Sequence, residues 1–189
     1  MRKLKLAMYV SLDGVVEEPA WTAPFWNDEL AQLQAEYLFA SDALVLGRVT
    51  YEGFAAAWPT MEEATGDFGR KMNSMPKYVA SRTVREPEWN ATVLSGDLAD
   101  AVRALKEEEG GDLLIYGSGD VVDQLTSAGL IDEYRLMVHP VVLGKGKRLF
   151  EGVEATTPLA LRDVVSTETG VTVLTYAPAT EAPSPGQGL

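Results

Sequence analysis

Three short stretches of this 189-residue chain carry residue types suited to holding phosphate groups. Gly47-Arg48-Val49-Thr50-Tyr51-Glu52 follows the apolar run Ala43 to Leu46. Gly47 allows a tight turn, Thr50 can cap a following helix, and Arg48 adds a cation with paired donors. Ser81-Arg82-Thr83 follows Tyr78-Val79-Ala80 and sets two hydroxyls around a guanidinium, a combination suited to a phosphate monoester. Gly117-Ser118-Gly119-Asp120 follows Leu113 to Tyr116, and its glycines permit close backbone approach to a pyrophosphate. Each stretch also has a plain structural use, since strand-to-helix turns often need glycine and strand-end arginines are often only solvated. Their shared position after strands is what points to a dinucleotide, because open α/β sheets bind ligands where strands end and helices begin.

Other chemistry is sparser. Asp28 and Glu29 open a helix, and Asp13 lies in an early loop. Any of the three could donate a proton if burial beside Trp21, Phe25 or Trp26 raised its pKa, and of these Asp28 is the first candidate. Acids in a first helical turn also serve stability alone. His139 is the only histidine and reads as a packed residue, and Lys145, Lys147 and Arg148 read as a solvated loop. The chain has no cysteine, so disulfides and thiolate zinc sites are excluded and no metal is expected. The net charge of −12 disfavours nucleic-acid partners, and any anionic cofactor must be held by local donors.

The elements that must position these turns alternate along the chain. Leu4, Leu6, Met8, Val10 and Leu12 form one face of a first strand, with Lys3 and Lys5 on the other. The charged start and the apolar run cut at Asp13 read as that strand, not as a targeting segment. Asn27 can cap a helix whose apolar stripe is Leu30, Leu33, Tyr37 and Leu38. A second helix is marked by Leu98, Ala101, Val102 and Leu105 and closed by Gly110-Gly111. Val121, Val122 and Leu125 mark a third, closed by Gly129. After Asp132 only strands are expected, over 134–143, 159–165 and 171–176, paired antiparallel. The reading is one α/β domain over 1–177, with a mostly parallel central sheet, helices on both faces and antiparallel C-terminal strands. Residues 178–189, rich in Pro, Gly and Ala, read as a disordered tail.

On these motifs the chain resembles the dihydrofolate-reductase-like superfamily. In particular it is similar to stand-alone bacterial proteins that look like the reductase domain of the bifunctional riboflavin-biosynthesis protein. The residues that carry the resemblance are Ser11 to Gly14, Leu46 to Glu52, Tyr78 to Thr83, Ile115 to Gly119 and His139 to Phe150. It implies a three-layer fold, a cytoplasmic reductase and NADPH as cofactor. By the same resemblance Gly47, Arg48, Val49 and Thr50 would meet the cofactor phosphates. Ser81, Arg82 and Thr83 would take the adenosine ribose and its 2′-phosphate. Tyr116, Gly117, Ser118, Gly119 and Asp120 would lie along the pyrophosphate. Leu12, Asp13, Gly14 and Val15 would form a mobile loop beside the nicotinamide. Trp26, Asp28, Tyr51, Phe54 and Trp58 would line the substrate pocket.

Dihydrofolate reductases usually carry Pro-Gly-Arg before the third strand, where this chain has Met75-Pro76-Lys77. The folate-tail arginine is thus missing, and Lys77 is left to hold an anion less specifically. The expected activity is hydride transfer from NADPH to a C=N, C=C or C=O bond of a small heterocyclic substrate. The alternatives are a non-catalytic binder on the same fold, or a reductase using a reduced flavin or deazaflavin. A homodimer through Leu136 to Leu143 is expected, because that long apolar stretch would otherwise leave an exposed sheet edge.

Overall fold

The structure is a computed structural model and describes residues 1–179. Eight strands form one sheet in the order β4-β3-β2-β5-β1-β6-β8-β7. They are β1 (Leu4–Ser11), β2 (Ser41–Gly47), β3 (Lys77–Ala80), β4 (Ala91–Leu94), β5 (Asp112–Tyr116), β6 (Glu133–His139), β7 (Leu159–Ser166) and β8 (Thr172–Pro178). All pairings from β4 to β6 are parallel, whereas β8 runs antiparallel between β6 and β7. Parallel neighbours require crossovers, and five helices supply them. Helices α4 (Leu98–Glu107) and α5 (Gly119–Ser127) bury Val102, Leu105, Val121, Val122 and Leu125 against one face of the sheet. Helices α1 (Asp28–Phe39), α2 (Arg48–Thr65) and α3 (Asp67–Ser74) bury Leu30, Tyr37, Leu38, Tyr51 and Met72 against the other. This is the three-layer, dihydrofolate-reductase-like architecture expected from the sequence.

Several local expectations are corrected. β1 lies between β5 and β6, so Ala7 is as buried as its neighbours and only Lys5 at the strand start finds an ion-pair partner, Asp112. Leu12 is not on that strand; β1 ends at Ser11 and Leu12 is exposed. Gly47, not Thr50, caps α2, and α4 ends at Glu107, before the two glycines. The 134–143 strand stops at His139, and β6 lies inside the sheet, parallel to β1. Its apolar length is therefore explained by two strand neighbours, and Leu136 to Leu143 is not a free edge. The sheet ends at β7, which exposes Leu161 and Val164. β8 runs through Pro178, and the Ala179 amide bonds to the Pro158 carbonyl at 3.0 Å. The rest of the expected tail, 180–189, lies outside the described residues. Among the described residues no helix is long and apolar enough to cross a membrane.

Candidate active site

One large cleft, about 2330 Å³, runs along the C-terminal ends of β2 to β5 and on between α1 and α2. Its strand-end half is built from backbone. Three helices start there, directly after a strand or one short turn beyond it, and they differ in one respect. The Asp97 side chain caps α4 by accepting the Asp100 amide, whereas α2 begins at Gly47 and α5 at Ser118 with no side-chain cap. The first-turn amides of α2 and α5 are thus open to an anion, with both helix dipoles favouring it.

The two open turns pack on each other. The Ser118 hydroxyl accepts the Gly47 amide at 2.8 Å and donates to the Tyr116 carbonyl at 3.1 Å. A Cβ on Gly47 would meet Ser118 Cβ at 3.4 Å and Val121 Cγ2 at 3.3 Å. A Cβ on Gly117, where φ is +56°, would meet Thr50 Oγ1 at 3.1 Å. Glycine is needed at Gly117 both for its backbone conformation and for this approach.

Cations stand around these turns. Arg48 is half-exposed and pairs with Glu52 at 2.9 Å, a surface i,i+4 contact that costs little to exchange for a ligand phosphate. Arg82 and Arg85 line the cleft at the end of β3, and among the described residues neither has an ion-pair partner. The Ser81 hydroxyl accepts the amides of Thr83 and Val84, which fixes the turn that presents Arg82. Lys147 reaches in from the loop after β6 and pairs with Asp120, which raises its pKa and offsets the acid at the start of α5.

The other half of the cleft is built from side chains. Phe54 of α2 packs edge-on against Trp58 and Tyr116, and Trp58 against Phe68 of α3. Trp26 stands half-exposed at the mouth. Beneath them α1 presents Ala31, Gln34 and Ala35, and β1 presents Ala7 and Tyr9. Gln34 Nε2 donates to Tyr9 Oη at 2.6 Å. Burial pushes the Tyr9 phenol up to about 12 and the Tyr116 phenol up as well, so both stay protonated at neutral pH.

The model of the RibD C-terminal domain matches residues 2–175. The chain belongs to that family. It is 28% identical over 177 residues to the uncharacterized protein YyaP of Bacillus subtilis (strain 168), covering 93% of this chain and 94% of that one. A putative riboflavin biosynthesis protein from Shewanella sp. PV-4 superposes with a TM-score of 0.77 at 22% identity, covering 95% and 99% of the two chains. A diaminohydroxyphosphoribosylaminopyrimidine deaminase/5-amino-6-(5-phosphoribosylamino)uracil reductase from Thermotoga maritima gives 0.67 at 16%, covering 94% of this chain and 57% of that one. Dihydrofolate reductase from Enterococcus faecalis, complexed with NADP(H), gives 0.61 at 17%, covering 93% and 96%. These three likenesses show the shared fold.

Within this RibD C-terminal domain, the residues expected to form the site divide sharply. Gly47, Arg48, Val49, Thr50, Ser81, Arg82, Thr83, Tyr116, Gly117, Ser118, Gly119 and Asp120 all line the cleft, as do Trp26, Phe54 and Trp58. Tyr51 does not. Its side chain is buried, and its hydroxyl accepts the Glu88 amide and donates to the Glu88 carbonyl, tying α2 to the β3–β4 connection. Leu12 and Gly14 stand outside the cleft too; the loop enters it only at Val16, Glu17 and Glu18. The loop is held, since Val16 and Leu149 amides bond to Lys147 and Gly14 carbonyls at 2.9 Å.

The three candidate acids are also elsewhere. Asp13 accepts the Ser11 hydroxyl and the amides of Leu143 and Gly144, which lower its pKa to about 2. Glu29 accepts the Glu168 amide at 2.9 Å, bracing α1 to the β7–β8 turn. Asp28 is exposed at the start of α1 and does not line the cleft. Lys77, expected to hold an anion, is fully buried, donates to the Asn73 carbonyl at 2.8 Å and lies 3.9 Å over the Trp89 ring.

The sequence reading missed Tyr9, Gln34, Arg85, Ser95 and Gly96 and took Lys147 for part of a solvated loop; all six line the cleft. Gln34 did leave a signal: a neutral amide placed within the apolar stripe of α1, between Leu30 and Leu38.

Proposed function

We propose that this protein is an NADPH-dependent reductase of a small, flat, unsaturated compound. The observation that carries the reading is the pair of uncapped helix starts, at Gly47-Arg48 and Ser118-Gly119, packed together beside Ser81-Arg82-Thr83. An enzyme that merely encloses an apolar ligand has no need of two open helix dipoles and free arginines. The residues fit the cofactor: the backbone amides of α2 and α5 and Arg48 suit a pyrophosphate. Arg82, Arg85 and the Thr83 hydroxyl suit a 2′-phosphate, with no carboxylate in that turn to repel it. The cofactor, when bound, supplies a hydride. Dihydrofolate reductase, with the same fold, is complexed with NADP(H). The chain's own part is to orient two partners along one cleft and to exclude water from the aromatic half.

No carboxyl group on α1 faces the cleft, and the carboxylates that line it elsewhere, Glu17, Glu18, Asp97 and Asp120, are exposed, so solvent is the source assigned to the proton that accompanies reduction. The net charge of −12 opposes a polyanion, but charge-assisted hydrogen bonds worth about 1.5–3 kcal/mol each outweigh distant, salt-screened repulsion. The test is calorimetric titration with NADPH and NADH, followed by loss of NADPH absorbance against a panel of unsaturated heterocycles. Binding of NADPH at least about tenfold tighter than NADH is expected. Equal affinities would remove the 2′-phosphate reading, and tight binding without turnover on any panel member would favour a sequestering protein. As for assembly, the exposed β7 edge with Leu161 and Val164 is the face proposed to pair in a homodimer. Light scattering at a mass near 20.5 kDa at micromolar concentration would remove that assembly.

A further inference from the structure

The aromatic half of the cleft has a floor of polar atoms that the protein itself does not satisfy. Gln34 and Tyr116 are 4% and 7% exposed, and both line the cleft. Gln34 Oε1 and Tyr116 Oη are buried without a hydrogen-bond partner. A buried polar group left unpaired costs about 1–3 kcal/mol, so two such atoms in one cleft wall call for a ligand that completes them.

Their placement is fixed by the sheet. Ala7 pairs directly with Tyr116 across β1 and β5, and Tyr9 lies two residues further along the same face of β1. Gln34 of α1 is anchored to that face because its Nε2 donates to Tyr9 Oη. The donation spends one of the two amide N–H groups on the protein and leaves the carbonyl oxygen as an acceptor. Tyr116 keeps its phenolic proton as a donor, since burial holds its pKa far above neutral. One acceptor and one donor, on side chains that line the same aromatic half of the cleft, match the N–H and C=O of a cyclic amide.

The charge of the wall narrows the class further. No cation lines the part of the cleft formed by α1, α3 and α2 beyond its first residue; every lining arginine and lysine (Arg48, Arg82, Arg85, Lys147) is at the strand-end half. Arg135 of β6 pairs with Ala7 of β1 and so shares this face of the sheet. Its guanidinium stacks at 3.5 Å on Tyr37 and donates to the Leu33 carbonyl, and it does not line the cleft. Lys77 is committed to Asn73 and Trp89. At the rim stand Glu17 and Glu18, which repel anions.

Resting on the reductase reading above, we propose that Gln34 and Tyr116 select an uncharged, planar lactam, and that a phosphorylated pyrimidine is excluded from this half of the cleft. That separates this protein in substrate from the Thermotoga maritima reductase named above, whose uracil compound carries a phosphoribosyl group.

The probes are quinazolin-4(3H)-one, a flat neutral lactam, its 3-methyl derivative, which has lost the N–H, and uridine 5′-phosphate. Each is titrated into NADPH-saturated protein by calorimetry. Quinazolin-4(3H)-one is expected to bind, the 3-methyl compound about tenfold more weakly, and uridine 5′-phosphate not measurably. Gln34→Met brings the parent compound down to the level of the 3-methyl compound and leaves the latter unchanged. Tyr116→Phe weakens both by a similar factor. NADPH affinity stays constant in Gln34→Met. The ligand comparison in the unsubstituted protein stands even if a variant folds poorly. Equal binding of the two quinazolinones, tighter binding of uridine 5′-phosphate, or no binding of the parent overturns the proposal. Failure of NADPH to bind, with quinazolinone discrimination intact in the free protein, overturns the reductase reading instead and leaves the lactam site standing.

Discussion

The two halves of the cleft reach specificity by opposite means. At the strand ends the contacts offered to a ligand are mostly backbone: amides of α2 and α5 left without side-chain caps, glycines where a Cβ would collide, and arginines on the surface. Between α1 and α2 they are side chains from distant segments, Tyr9, Gln34, Phe54 and Tyr116, and none is charged. A phosphate-bearing group can be held by local backbone geometry because its charge is large and its shape simple. A neutral ring must be held by shape and by a few directed hydrogen bonds. One half can therefore serve a common cofactor while the other changes with the substrate.

The comparison breaks first at Lys77, if its charge belongs to the cleft after all. Burial lowers its pKa to about 8 from 10.5. The folded-state value is the lower one, so between about pH 8 and 10.5 the unfolded chain holds the extra proton and stability rises with pH; below 8 both states are protonated and the penalty is constant. Lys77→Met removes this dependence. In urea melts, the stability of the unsubstituted protein relative to Lys77→Met should rise by up to about 3 kcal/mol from pH 7 to above 10. A pH-independent difference would mean that Lys77 is solvated and available to an anionic ligand.

Gly117→Val attacks the other half. Its φ of +56° strains any β-branched residue, and its side chain would run into Thr50. The expected loss of NADPH affinity is about ten- to a hundredfold, with quinazolinone binding to the free protein kept. Unchanged cofactor affinity would show that the turn is not a phosphate cradle. A smaller and more selective loss is expected for Arg82→Ala. NADPH should weaken by about tenfold and NADH hardly at all, since only the former carries a phosphate there. An equal loss for both would place Arg82 elsewhere on the cofactor.

The halves also differ in how far they could be read from sequence. Gly47-Arg48, Ser81-Arg82-Thr83 and Gly117-Ser118-Gly119 each state their turn within a few residues, because strand end, turn and helix start are local. The parallel sheet and its two helical layers followed from the same alternation. The half between α1 and α2 was legible only in part: Trp26, Phe54 and Trp58 stand out as aromatics near the turns, whereas Tyr9 and Gln34 join them only after β1, β5 and α1 have packed. α3 was missed because it follows α2 after Gly66 alone and its eight residues offer only Phe68 and Met72 as large apolar positions. β6 was taken for an edge because an apolar strand next to another strand and one next to solvent look alike until the order of β8 and β7 is known. Tyr51 was taken for pocket wall because an aromatic beside a glycine turn points either way on a helix, and here it points to Glu88.

The smallest effect expected is at the acids of the first loop and helix, and it bears on where the proton comes from. A carboxyl that donates a proton at neutral pH must be buried beside the reacting atom and hold its proton there. Asp13 is held ionised, its pKa lowered to about 2 by the Ser11 hydroxyl and the amides of Leu143 and Gly144, so it has no proton to give. Glu29 is occupied with the Glu168 amide, and Asp28 is exposed outside the cleft. The side of α1 that does face the cleft carries Ala31, Gln32, Gln34 and Ala35. Asp28→Asn and Glu29→Gln should therefore change kcat/KM by no more than about twofold with any compound that oxidises NADPH, whereas removing a true general acid costs about 10²–10⁴-fold. Steady-state rates for the two variants across pH 5–9 decide the matter. A loss of a hundredfold in Asp28→Asn, recovered toward low pH, would mean that α1 turns its first residue into the cleft when ligands bind. The contrast would then be wrong in its simplest form, for the neutral half would contain a charge.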